Sequence, residues 1–210
     1  MNTRRAFTLI EMLVVIGIIS ILLVALIPAV NSLSKSSGRK AAVSNLLGAF
    51  EQARAQAIKD GQATYVVFPI FTSGTQATLD RYNYKSYAIF EDDPATPATP
   101  KQLTNWKTLP AGVALRAAGT TPLSSLSDPA TLSITLTFGP DNTAKPFKCL
   151  KFNSSGEVES PPSNVSIAIF EGYVNGGLEV ITGSKDASGN PLATESINIA
   201  RLTGRAVAVQ

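Results

Sequence analysis

The fold is decided by the stretch that reads FTLIEMLVVIGIISILLVALIPAV, residues 7–30. After Glu11 no formal charge occurs before Lys35. A bilayer core about 30 Å thick needs roughly 20 apolar residues in a helix, whereas the apolar part of a cleaved secretory signal has about 7 to 15. The stretch therefore predicts a retained transmembrane helix over about 7–30.

Glu11 is the one carboxylate in this stretch. An acidic side chain inside a membrane helix costs about 3 kcal/mol and less near the interface, so it needs a cationic partner or a place among the lipid headgroups. If the chain were cut just before Phe7, the new amino group would lie four residues from Glu11 and could neutralise it in cis or on a neighbouring chain. The residues alone leave both interpretations open.

The helix is predicted to continue beyond the apolar stretch. Pro28 removes one backbone hydrogen bond and is expected to kink the helix or melt one turn. After a polar segment at 31–40, apolar residues recur in steps of three and four at Val43, Leu46, Leu47, Phe50, Ala53, Ala57 and Ile58. This spacing predicts an amphipathic half that buries its apolar stripe on a sheet and leaves Arg39, Lys40, Glu51, Arg54 and Lys59 mostly on the other side.

Asp60-Gly61 provides the stop signal, because glycine accepts the left-handed backbone that often follows a helix. We predict one helix over about 7–60 that can be interrupted at Pro28 and at 36–38. The alternative is a membrane helix and a globular helix joined by a flexible linker.

Residues 61–210 show a strand pattern of β-branched and aromatic runs between turn residues. The predicted strands are 64–71, 86–90, 113–116, 132–138, 147–152, 165–170, 178–181, 196–200 and 205–209. Loops are predicted at 92–104 and 183–191. The fold class is thus α+β, with a long N-terminal helix packed on one antiparallel β-rich head at 61–210.

Composition excludes most enzyme classes. The 210 residues contain no histidine and one cysteine, Cys149, which removes imidazole-based catalysis, Cys-rich zinc sites and intrachain disulfides. The close acidic groupings, Asp92-Asp93 and Glu157/Glu159, lie in polar, loop-like sequence without a catalytic motif. The segment 186–190 has oxygens at alternating positions but lacks the later glutamate of a calcium loop. We predict no enzymatic activity, no metal and no cofactor, and we interpret Cys149 as a small buried residue.

The N-terminal motif adds a specific resemblance. Arg4-Arg5-Ala6 followed by Phe7-Thr8-Leu9-Ile10-Glu11 resembles the class III signal of type IV pilins and type II secretion pseudopilins. The resemblance implies a cytoplasmic leader at 1–6 with its basic Arg4 and Arg5, cleavage by a prepilin peptidase between Ala6 and Phe7, and N-methylation of Phe7. Glu11 and Pro28 fall where the family carries its assembly glutamate and its helix proline. Ala6 departs from the usual glycine, and its small size should allow cleavage.

Shorter motifs are similar to one branch of that family. They are the helix segment 47–59, Leu109-Pro110-Ala111-Gly112-Val113, Phe152-Asn153-Ser154-Ser155-Gly156 and the final hairpin around Thr203-Gly204-Arg205. Together they resemble the H-type minor pseudopilin group (GspH/FimT-like). The implied protein is a structural subunit of a type II secretion pseudopilus or a type IV pilus-like filament. It would cross the inner membrane once, with its head in the periplasm, before it joins a periplasmic filament.

The resemblance also implies the partners, which are other pilin-like subunits, the prepilin peptidase and an inner-membrane assembly platform. Some FimT-like proteins are associated with DNA uptake, which makes Arg201 and Arg205 candidate DNA contacts. Without the leader's two arginines, however, 16 basic side chains face 15 acidic ones. This near balance does not favour nucleic acid, because phosphate binding normally needs a basic excess.

Two other readings make different predictions. A bitopic anchor that carries a binding domain outside any filament would keep its leader. A conventional secretory signal would be cut near Ala25 or Ala29 and release a soluble β protein, although the long apolar stretch and the sequence around Pro28 do not favour such a site.

Overall fold

The computed structural model describes residues 9–70, 82–96, 100–118, 126 and 147–209, without the side chains of 25–36. Over these residues the chain forms one helix and eleven short strands. They are α1 Leu9–Asp60, β1 Thr64–Pro69, β2 Ser86–Glu91, β3 Lys101–Gln102, β4 Lys107–Thr108, β5 Val113–Leu115, β6 Phe147–Phe152, β7 Val158–Ser160, β8 Val165–Asn175, β9 Leu178–Ile181, β10 Thr194–Ile199 and β11 Ala206–Val209. By its contacts the chain divides into two units, Met1–Ser37 and Gly38–Gln210.

Helix α1 has helical backbone throughout, including Pro28 and residues 36–38. The backbone is thus helical at both places where an interruption was allowed for. A proline removes a single backbone hydrogen bond, and the leucine, alanine and isoleucine beside Pro28 keep the turns on either side helical. The helix ends at Asp60, where Gly61 adopts φ +67° and its N–H donates to the Ala57 carbonyl at 3.0 Å.

The second half of α1 supplies one wall of the head's core. Five members of the predicted apolar stripe are buried, which confirms their placement: Val43, Leu46, Phe50, Ala53 and Ala57. Ala42 and Ala49 are buried beside them. Phe50 meets Phe68 of β1 with ring centroids 6.3 Å apart. Leu47 is partly buried, and Ile58 is 47% exposed. Ile58 was therefore wrongly assigned to the buried face; it lies at the end of the stripe, beside the turn at Gly156.

The strands form two antiparallel sheets. The first has the order β3-β2-β1-β6-β7, and β4 also pairs with β2. The second has the order β11-β10-β8-β5, and β9 also pairs with β8. Phe68 and Leu150 of the first sheet and Ile167 and Ile197 of the second are fully buried in the same core cluster as Phe50.

A second, smaller cluster contains Tyr65, Val67, Ala88, Phe90 and Cys149. Cys149 is 2% exposed, as predicted for a small buried residue. The phenol of Tyr65 donates to Asp92 Oδ2 at 3.0 Å, and burial together with this carboxylate raises the pKa of Tyr65.

Most predicted strands occur close to their predicted positions. The strand predicted at 132–138 lies outside the described residues. Strands β3, β4 and β7 were not predicted, and β3 falls inside the segment 92–104 that was interpreted as a loop. Their two or three residues are too few to show alternation, and β3 and β4 form because β2 offers them an edge.

Candidate functional site

The first half of α1 presents apolar side chains on every side. Every leucine, isoleucine, valine and methionine from Leu9 to Val24 is at least 49% exposed. A helix that packs on its own domain shows an apolar stripe on one face, whereas this segment has apolar residues all round. Such a surface needs apolar surroundings supplied by other molecules.

No helix within the described residues is both long enough and apolar enough to span a membrane.

Glu11 lies in the first turn of α1 and is exposed. It shares a shallow recess of the helix surface with Ile10, Val14 and Val15. A carboxylate in the first turn faces the positive end of the helix dipole, which stabilises its charge. The carboxylate therefore lies on the helix surface among apolar side chains.

The remaining N-terminal predictions are not tested by the structure. Arg4, Arg5, Ala6 and Phe7 lie outside the described residues, and the side chain of Pro28 is not described. The cleavage site, the N-methylation and the roles of Glu11 and Pro28 stay predictions.

Arg39 forms a buried ion cluster with two strands of the head. Its guanidinium contacts the Glu171 carboxylate on β8 directly, and its Nε lies 3.9 Å from Glu195 Oε1 on β10. The three side chains are between 11% and 17% exposed. The cluster ties the start of the amphipathic half to the second sheet, because an isolated carboxylate this deeply buried would be costly.

The placement of Arg39 on the outer side of the helix was therefore wrong. Its long side chain reaches around the helix to carboxylates that lie far along the chain. The sequence signal for this ion pair was Glu171, which directly follows the mostly apolar run SIAIF. A lone acid in a buried strand requires a cation. Arg116 plays a similar part for Glu179, whose Oε1 accepts from Arg116 Nε at 2.8 Å.

Arg201 and Arg205 lie in the turn between β10 and β11, and both are exposed. The turn is held by its backbone, because Gly204 N–H donates to the Ala200 carbonyl at 2.8 Å and Ala200 N–H to the Arg205 carbonyl at 3.0 Å. Gly204 has φ +62°, and a Cβ there would overlap the carbonyl oxygen of Gly156. The glycine is therefore required by packing, and DNA contact by the two arginines stays a prediction.

The acidic groupings have structural partners. Asp92 accepts from Tyr65, and Asp93 accepts from Ala95 N–H at 2.9 Å and from Thr96 Oγ1 at 3.1 Å. Glu157 N–H donates to Asn153 Oδ1 at 2.9 Å, and Glu159 lies 3.0 Å from Lys151 Nζ. These contacts fix turns and strand edges.

The loop at 186–190 is a turn closed by its first residue. Asp186 Oδ1 accepts from Ser188 N–H at 2.9 Å and from Asn190 N–H at 2.8 Å. The Asn190 backbone N–H is the main cause that lowers the pKa of Asp186. The carboxylate is thus used by its own turn. Among the described residues, no group of three acidic or cysteine side chains could hold a metal ion.

Two family models match the chain. The prokaryotic N-terminal methylation motif matches residues 1–27, and the family described as type II transport protein GspH matches residues 42–183, which is more than half of the chain. The first match points to a membrane-anchored protein and the second to a subunit of a periplasmic filament. A comparison with curated proteins gave no significant match.

Solved structures similar to the chain include the type IV minor pilin FimU of Pseudomonas aeruginosa PAO1, at 12% identity and a TM-score of 0.43 over 85% of this chain and 92% of that one. They also include the minor pseudopilin EpsH from the type 2 secretion system of Vibrio cholerae, at 13% identity and a TM-score of 0.42 over 81% of this chain and 95% of that one.

Proposed function

Because the chain belongs to the GspH family of type II transport proteins, we propose that it is made as a membrane-inserted precursor, trimmed at its N-terminus and assembled into a filament through the first half of α1. The family is one of minor pseudopilin and pilin-like subunits, which build a type II secretion or type IV pilus filament with other subunits of the same kind. Members of this family are structural proteins. The steps proposed below concern how this chain enters the filament.

In the first step a prepilin peptidase cuts between Ala6 and Phe7, and the amino group of Phe7 is then methylated. Support comes from the match of the methylation motif to residues 1–27 and from the basic Arg4-Arg5 pair before the cut. The leader at 1–6 stays in the cytoplasm, as the match to the methylation motif of this family supports. Cleavage places a new positive charge four residues from Glu11.

Before assembly the apolar half of α1 lies in the inner membrane, with the head in the periplasm. The observation that carries this step is the apolar surface from Leu9 to Val24, which is exposed on all sides of the helix in the isolated chain. Lipid covers it first and neighbouring helices cover it after extraction by an assembly platform. The transfer of this helix from lipid into the filament costs little free energy, because packing against other helices replaces packing against lipid.

Glu11 sets the axial position of the subunit in the filament. Inside a bundle of apolar helices a carboxylate is costly unless it meets a positive charge, so it favours the register that brings it to a neighbour's N-terminal amine. Pro28 acts on the same helix as a point of weaker backbone bonding where packed helices can bend.

The test replaces Glu11 with alanine in the full chain. The Glu11→Ala chain should insert into the membrane and be cleaved, but its amount in the sheared filament fraction should fall by at least tenfold. Glu11→Asp should keep part of the incorporation because it keeps the charge. Ser20→Ala is the matched control, since Ser20 is the other polar side chain among residues 9–24 and its hydroxyl only donates to the Ile16 carbonyl of its own helix, at 2.7 Å. Normal incorporation of Glu11→Ala would overturn the proposed register.

A further inference from the structure

A groove of about 640 Å³ lies between the second half of α1 and β4. Five helix residues line it, among them Ser44, Gly48 and Gln52, and the other wall includes Trp106, Lys107 and Thr108. These three helix residues are exposed, and their side chains are small or flexible, so the helix forms a shallow wall of the groove. The proposed assembly through the first half of α1 makes no use of this surface.

Gly48 is the first sign that the groove is built for another chain. A glycine in a helix interior costs about 1 kcal/mol relative to alanine. A Cβ at Gly48 would meet nothing within 4 Å among the described residues, so packing against this part of the chain does not require the glycine. It leaves the helix backbone open to close approach from outside.

The second sign is the edge of β4. This strand pairs with β2 through Tyr87↔Lys107 and Ser86↔Thr108, and Leu109 N–H donates to the Lys85 carbonyl at 2.6 Å. Backbone groups alternate in direction along an antiparallel strand. Because residues 107 and 109 direct theirs to β2, Thr108 directs its N–H and C=O away from β2. Thr108 thus offers the hydrogen-bonding edge that an added strand requires.

The third sign is charge. A second depression of about 440 Å³ is also lined by Thr108 and has Lys85 on its wall, with Lys85 Nζ 5.3 Å from the ring centroid of Tyr173. Among the described residues that line the two depressions, Lys107 and Lys85 are charged and none is an aspartate or glutamate. The charge of Lys107 on the groove wall favours an acidic partner.

We propose that the groove between α1 and β4 binds an extended, acidic segment of another filament subunit. The segment adds as a strand beside β4, exchanges backbone hydrogen bonds with Thr108 and places a carboxylate near Lys107. Its side chains lie over Gly48, where the helix leaves room. The proposal rests on filament membership but not on the role proposed for Glu11.

The test uses the full chain in cells that assemble the filament. A benzophenone amino acid is placed at residue 52, in the groove, or at residue 55, which is exposed on the same helix but does not line the groove. After irradiation, the crosslinked peptides from the filament fraction are identified by mass spectrometry. Residue 52 should crosslink to an extended segment of another subunit that contains aspartate or glutamate, with at least a tenfold higher yield than residue 55.

Three backbone and side-chain variants probe the mode of binding. Thr108→Pro removes the outward N–H and should reduce the crosslink at least fivefold, whereas Thr108→Val keeps the N–H and should not. Gly48→Leu fills the groove, and Lys107→Glu reverses its charge; each should reduce the crosslink similarly. Trp106 fluorescence during urea unfolding reports whether each variant is folded. If Thr108→Pro does not fold, the crosslink yield of Gly48→Leu tests the proposal instead.

The outcomes separate this proposal from the proposed function. Three results would overturn the proposed binding in the groove. Residue 52 could give the same crosslinks as residue 55, its crosslinks could reach only a helix or a basic segment, or they could persist in Thr108→Pro and Gly48→Leu. Absence of the wild-type chain from the filament fraction counts against the proposed function. In that case the same crosslinks, scored in the membrane fraction, decide the groove.

Discussion

The two halves of α1 share one backbone geometry and differ in what surrounds their side chains. From Leu9 to Val24 every large apolar side chain is at least 49% exposed. From Ala42 to Ala57 seven apolar side chains are at most 8% exposed and pack on the strands of the head, and Leu47 is partly buried beside them. Helical structure alone therefore does not distinguish the halves; the distribution of polar residues around the helix does.

Polar groups follow the same division. In the first half, Ser20 bonds to its own helix and Glu11 is exposed among apolar residues. In the second half, Arg39 reaches two strands, and the Asn45 carbonyl accepts from the Tyr87 phenol at 3.3 Å. The second half is committed to the chain's own head, and the surface of the first half is left for other molecules.

The largest difference should come from one apolar truncation in each half. Phe50→Ala should lower the free energy of unfolding of the head by about 3 to 5 kcal/mol, because it removes a fully buried aromatic ring. Ile16→Ala should leave that free energy unchanged, since Ile16 is 61% exposed. Urea unfolding of the full chain in detergent, followed by the fluorescence of the single tryptophan, Trp106, measures both. Equal losses would remove the distinction between the halves.

A somewhat smaller loss is expected when Arg39 is replaced. Arg39→Ala leaves Glu171 and Glu195 buried without their cation and should cost about 3 kcal/mol. Lys40→Ala is the matched control, because the neighbouring lysine is exposed, and it should change stability by less than about 0.5 kcal/mol. The same urea titration applies. If the two variants were equally stable, the ion cluster would contribute nothing to holding the helix on the second sheet.

The two exposed helix glycines give a smaller and opposite effect. In the part of the chain that the structure describes, a Cβ meets nothing within 4 Å at either Gly17 or Gly48. Gly48→Ala should stabilise the head by about 1 kcal/mol through helix propensity, and Gly17→Ala should not alter the unfolding of the head. Destabilisation by Gly48→Ala would show that the glycine is needed inside this chain, which would weaken the argument for the groove.

The smallest effect is expected at the end of the helix and depends on pH. Glu91 is 9% exposed, and burial, with a contribution from nearby Asp60, raises the pKa of Glu91. A raised carboxyl pKa means that the folded head disfavours the ionised form, so Glu91 costs stability at neutral pH and this cost disappears as pH falls. Glu91→Gln should therefore raise the urea midpoint at pH 7 and lose this advantage in acid. Glu51→Gln serves as the control, because Glu51 is exposed, and it should leave the urea midpoint at pH 7 unchanged.

The sequence predicted those elements whose bounds depend on neighbouring residues in the chain. The strands Phe147–Phe152 and Leu178–Ile181 were predicted with their observed bounds, because each is a short segment with apolar or aromatic residues that ends at turn residues. The stop at Asp60-Gly61 was predicted because glycine accepts the left-handed backbone that follows a helix. The pairs Lys101–Gln102 and Lys107–Thr108 escaped prediction, since polar dipeptides become strands only when β2 has already formed.

The candidate sites divide in the same way. Glu11 could be singled out from the sequence because a lone acid in an apolar stretch is a local anomaly. The groove could not, because Gly48 and Thr108 are unremarkable in the sequence and meet only when the helix packs beside β4. Arg39 stands between these cases, since Glu171 was visible as an anomaly while its partner was set by tertiary packing.

The most direct test of the central claim, that the first half of α1 serves a filament after trimming, is the N-terminus of the mature chain. Intact mass and N-terminal sequencing of the membrane-extracted protein should give a chain that starts at a methylated Phe7, and one that starts at Met1 in cells without prepilin peptidase. A start at Met1 in both would identify an unprocessed anchor, and a start beyond Ala25 a secreted domain; either result would contradict the account.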